Sequence, residues 1–74
     1  MEGFVMRLMG DKGFGFIKGD DNKDYFFHRS SFHGFFDDLV MDFGANRKIK
    51  VTFNTVKSDK GPRADNVMRT DDGV

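Results

Sequence analysis

Residues Lys12-Gly13-Phe14-Gly15-Phe16-Ile17-Lys18 carry the reading on which the fold turns. Successive side chains of a strand point to opposite faces, so Phe14 and Phe16 share one face while Gly13, Gly15 and Ile17 share the other. An isolated Phe-x-Phe in a strand is more often core than surface. Here, burying the two rings would turn both glycines and Ile17 outward and weaken the strand with no packing in return. The opposite assignment is the better one: glycines and Ile17 inside a tightly curved wall, two rings side by side outside.

The next extended run, Asp24-Tyr25-Phe26-Phe27-His28, pairs naturally with the first. With Ile17, Tyr25 and Phe27 inward, the outer face gathers Phe14, Phe16, Phe26 and His28 between Lys12 and Lys18. This is an aromatic platform in a basic frame, and every nucleobase offers a π-face to such a platform. The competing use of the same patch is a protein interface, either with a partner chain or with a second copy.

Working outward, Gly10-Asp11-Lys12-Gly13 and Gly19-Asp20-Asp21-Asn22 are tight-turn compositions on either side of the first motif. Further strands are expected over residues 4–9, 49–56 and 64–69, beside those at 13–19 and 23–28. Pro62, lacking an N–H, belongs in a loop or at a strand start. No stretch repeats apolar residues at the helical period for the ~10 residues that a helix needs. Residues 30–48 are the least regular, with at most a short helical turn over 37–41. The chain therefore reads as all-β: five strands in a small antiparallel barrel over residues 1–69, followed by a polar, disordered tail over 70–74.

Composition sharpens the problem that the platform solves. The chain has 74 residues, no cysteine and a formal charge of +0, so packing alone must hold it together. Ten phenylalanines match the combined isoleucine, leucine and valine count, and a core this small has no room for all of them. Phe27 and Phe53 read as core and Phe14, Phe16 and Phe26 as ligand-facing. Phe4, Phe32, Phe35, Phe36 and Phe43 stay open. Apolar runs are far shorter than the ~18 residues that span a bilayer, and the first residues lack a secretory pattern, so a cytoplasmic location without membrane contact is expected. With only His28 and His33 as imidazoles and Glu2 as the one glutamate, neither a metal site nor another cofactor is expected. His28 is placed as a surface ring edge-on to a base, with no part in acid or base catalysis, and no small-molecule substrate is implied.

Taken together, these motifs resemble the bacterial cold-shock domain family. Lys12-Gly-Phe-Gly-Phe-Ile17 matches its first ribonucleoprotein motif, and Asp24-Tyr-Phe-Phe-His28 resembles the second, usually V-F-V-H. Gly3-x-Val5 lies ahead of them, while Val51-x-Phe53 and Lys60-Gly61-Pro62-x-Ala64-x-Asn66-Val67 look like the last two strands. The resemblance spans residues 3 to 68. It implies a five-stranded antiparallel OB-fold barrel that binds single-stranded RNA and DNA, and a role as RNA chaperone, antiterminator or translation regulator. Carried over by position, Phe14, Phe16, Phe26 and His28 are the stacking residues and Lys12 a backbone or base-edge contact. Asp24, Lys60, Gly61 and Pro62 are rim contacts. Phe35 or Phe36 stands for an aromatic of the long loop, with a core plug as the alternative for either.

Two departures matter. Where the family carries K-W-F-N, this chain has Met6-Arg7-Leu8-Met9, so Arg7 replaces a stacking Trp. Arg29 likewise replaces an aromatic after the histidine. A guanidinium stacks on a base or pairs with phosphate but offers less apolar area, which shifts binding toward phosphate neutralisation. The adjacent aspartates at 20–21, 37–38 and 71–72 are expected on a face turned away from the ligand. A monomer is expected, with a dimer left open.

Overall fold

A computed structural model describes residues 1–70. Its five strands are β1 (Glu2–Met9), β2 (Phe14–Gly19), β3 (Asp24–His28), β4 (Lys50–Ser58) and β5 (Gly61–Arg69). They close into a barrel in the order β1-β2-β3-β5-β4, as the all-β OB-fold expectation required. Pairing is antiparallel except at the seam between β3 and β5, which run parallel through Phe26 and Arg63. The one parallel seam follows from parity: an odd number of strands in a closed ring cannot alternate direction throughout, so a five-stranded antiparallel barrel of this type carries one. Expected residues 71–74 of the tail, with Asp71 and Asp72, lie outside the described residues.

Both predicted turns form. Gly13 and Asn22 take positive φ (73° and 67°), and the Gly13 and Asn22 amides donate to Met9 and Gly19 carbonyls at 2.8 and 2.9 Å. Pro62 is the second residue of β5, paired with Lys57 just after a two-residue turn at Asp59 and Lys60. Gly15 is walled in by β1 and β3. A Cβ on Gly15 would lie 2.6 Å from Leu8 Cδ2, 2.7 Å from the Arg7 carbonyl oxygen and 2.9 Å from Phe27 Cε1.

One helix, α1 (Phe36–Gly44), occupies the segment where only a turn over 37–41 was expected. Its apolar residues Phe36, Leu39, Val40 and Phe43 follow the i, i+3, i+4, i+7 spacing, but over eight residues, which is shorter than the window that separates helix from strand. Asp37 and Asp38 suit the positive end of its dipole. It ends at Asn46, φ 62°, with the Asn46 amide on the Phe43 carbonyl (3.0 Å) and the Arg47 amide on that of Asp42 (3.1 Å). This double closure with a left-handed residue satisfies the last carbonyls of the helix. The helix buries Phe36 and Leu39 against Phe27, Phe32 and the barrel interior, and an ion pair from Arg69 to Asp42 (2.7 Å) ties it to β5. No helix among the described residues is long and apolar enough to cross a membrane.

Candidate nucleic-acid interface

Strand register sorts the outer face of β1, β2 and β3 into three rows. Met9, Phe14 and His28 form the first; Arg7, Phe16 and Phe26 the second; Phe4, Lys18 and Asp24 the third. Parallel pairing of Phe26 with Arg63 extends the second row onto β5. A bulge between Val5 and Arg7 makes these rows. In strict alternation Arg7 would share the inward face of Val5, and the extra residue turns it outward beside Phe16.

Beneath the rows, Ile17 and Phe27 are fully buried and Tyr25 nearly so, while Phe14, Phe16, Phe26 and His28 are half-buried. The three phenylalanine rings form one cluster. Phe14 and Phe26 are tilted at 5.4 Å between centroids, Phe16 meets Phe26 edge-on at 5.7 Å, and Phe14 meets Phe16 at 6.2 Å and 90°. These tilted and edge-to-face contacts hold the three rings together as one cluster on the outer face. The Ser30 amide donates to His28 Nδ1 (3.1 Å), which puts the proton of the neutral ring on Nε2 and leaves that N–H as a donor.

Cations border the cluster. Lys12 is exposed in the β1–β2 turn, and the Arg29 side chain lies against Gly13, where a Cβ would sit 3.0 Å from Arg29 Cδ. Asp24 is bound to Lys18 at 2.7 Å, so the third row is locally neutral there. Lys60, Gly61 and Pro62 line a hollow of about 620 Å³ that also touches Phe16 and Phe26. Arg63 lies over the Phe26 ring at 5.6 Å in the same hollow. Arg63 was not among the residues expected at this face. Counting outward from buried Ala64 would have placed it on the outer face, but its position beside Phe26 depends on the β3–β5 seam, which has no local signal.

Not every expected site residue gathers here. Phe36 is 9% exposed and packs in the core, where it meets Phe27 and Phe32, which is the core-plug alternative left open for it, and not a place on the platform. Phe35, 80% exposed, lines a separate hollow with Arg29, Gly34 and Asp37. Asp37 therefore shares a hollow with one of the cations, against the expectation that the paired aspartates sit on a face turned away from them.

A closed five-stranded barrel with aromatic rows on one wall defines a class of small nucleic-acid-binding domain. Residues 1–70 match the family described as 'Cold-shock' DNA-binding domain, and the chain belongs to that family. It is 41% and 42% identical over 68 residues to cold shock proteins 1 and 2 of Lactiplantibacillus plantarum, across 89% of this chain and 92% of each relative. Against the cold shock-like protein CspB of Escherichia coli it is 42% identical over 72 residues, across 96% of this chain and 94% of the relative. The chain is thus a nucleic-acid-binding protein of the cold-shock type, in a family that is not enzymatic.

Proposed function

We propose that this domain binds single strands of RNA or DNA with little sequence preference, stacking bases on Phe14, Phe16, Phe26 and His28. Arg7, Lys12, Arg29, Lys60 and Arg63 meet phosphates, and Asp24, Gly61 and Pro62 shape the rim. The observation that carries this reading is the ring cluster itself: three phenylalanines outside a barrel that needs apolar core, within 6.2 Å of one another. Spacing favours single strands over duplex. Adjacent rows lie two strand residues apart, ~6.6 Å, about twice the ~3.4 Å step between stacked bases along one strand of a duplex. Bases laid on successive rows are therefore unstacked from one another.

A protein that binds unpaired bases and not duplex shifts weak hairpins toward the open form by mass action. That is RNA-chaperone action. At a nascent terminator hairpin it is antitermination, and at a hairpin in a message it is control of translation. The reading needs one unit over residues 1–69, acting as a monomer in the cytoplasm. Backbone NMR shift mapping with oligo(dT) and oligo(rU) at low salt tests it. The expected result is that the largest changes fall on Phe14, Phe16, Phe26, His28 and Arg63. Changes confined to the Phe35 hollow, or none, would replace it with the protein-interface reading.

A further inference from the structure

Phe4 is left unexplained by both the core and the ring cluster. It stands on the outer face of β1, 37% exposed, one row beyond Phe16. Lysines surround it. Lys18 is its partner on β2 and Lys50 its partner on β4, and Lys48 Nζ lies 4.6 Å from its ring centroid. Lys18 and Lys50 are already bound to Asp24 and Glu2, at 2.7 and 3.0 Å. Lys48 makes no ion pair among the described residues, and its contact is with the ring.

The bulge at Met6 gives this residue its setting. Because it adds one residue between Val5 and Arg7, Phe4 and Arg7 both face outward, with exposed Met6 between them. Along β1 the outer face thus runs from Arg7, beside Phe16, through exposed Met6 to Phe4, one row on. The row spacing is the same two residues on β2, from Phe16 to Lys18, as from Phe14 to Phe16. A strand laid across the first two rows reaches the third with its next nucleotide.

Resting on the single-strand reading of this face, we infer that Phe4 and Lys48 form an additional nucleotide subsite. The base stacks on the Phe4 ring, and the Lys48 ammonium, held over that ring in the free chain, moves to the adjoining phosphate. The subsite takes any base, since a phenyl ring offers only a π-face. It lengthens the footprint of the protein on a strand by one nucleotide.

A length series of fluorescein-labelled oligo(dT), titrated by anisotropy at fixed salt, tests this with wild type, Phe4→Ala, Lys48→Gln and Phe16→Ala. Phe4→Ala is expected to bind the shortest competent oligonucleotides as wild type does, and to lose at least about fivefold on the longest, the loss of one stacked base. Lys48→Gln loses less, on the same long oligonucleotides, with a smaller salt slope. If Phe4→Ala matches wild type at every length while Phe16→Ala weakens all, the subsite is wrong and the single-strand reading stands. If neither variant changes binding, the face itself is misread and the subsite falls with it. The Phe4 ring resonances of the wild-type protein give a check independent of folding: they are expected to shift with long oligonucleotides and stay in place with short ones, and shifts with neither would overturn the inference.

Discussion

At Gly15 the barrel wall has no room for a side chain. Two of the three atoms that a Cβ would crowd are side-chain carbons, but the Arg7 carbonyl oxygen at 2.7 Å belongs to the β1 backbone. Gly15→Ala is therefore expected to lower stability by ~1–3 kcal/mol through overpacking, read as a fall in the urea midpoint at unchanged slope. An unchanged midpoint would mean that the wall yields. This glycine was legible in the sequence, because alternation with Phe14 and Phe16 put it inside. Phe35 and Phe36 were not. The chain passes from extended backbone at Phe35 into helix at Phe36, so neither the strand nor the helix period decides which ring turns in. Phe36→Ala is expected to cost ~3–5 kcal/mol of stability as a core truncation, and Phe35→Ala to leave the melting temperature near that of wild type.

At the scale of elements, turns and strand faces could be read locally and the joins between distant strands could not. The two hairpin turns announce themselves in Gly and Asp or Asn, and β2 and β3 in their alternation. The helix hid because its period runs for only two turns, and the β3–β5 seam, with Arg63, hid because nothing near residue 26 points to residue 63. The β2–β3 turn carries a pH-sensitive contact. The Tyr25 hydroxyl donates to Asp21 at 2.5 Å, and this bond holds the Asp21 carboxyl below its ordinary 3.8 and pushes the Tyr25 hydroxyl above its ordinary 10.0. The depressed carboxyl contributes stability that is fully present above 3.8 and is lost as pH falls through its folded value. The raised phenol contributes stability that is present below 10.0 and is lost as pH rises through its folded value. Tyr25→Phe should therefore melt below wild type at neutral pH, with a gap that closes in strong acid. A gap that stays constant down to acid pH would show that the difference is packing alone.

For the whole molecule, the ten phenylalanines divide by environment. Phe27, Phe32, Phe36 and Phe53 are buried and Phe43 packs against them, while Phe4, Phe14, Phe16, Phe26 and Phe35 reach the surface. A formal charge of +0 hides a face bordered by Arg7, Lys12, Arg29, Lys60 and Arg63. If about three of these meet phosphates, log K is expected to fall with log salt at a slope of ~−2 for a single strand. Arg7→Trp should flatten that slope and tighten binding at high salt. A slope near zero in the wild type would remove the phosphate contribution from the account. The claim on which everything rests is that the rings of the second row are outside for a ligand and not for the core. Phe16→Ala measures it most directly, with oligo(dT) affinity and melting temperature taken on the same sample. The expected result is a loss of ~1–3 kcal/mol in binding with melting close to wild type. Unchanged affinity, or a melting temperature that collapses as it would for a buried ring, would contradict it.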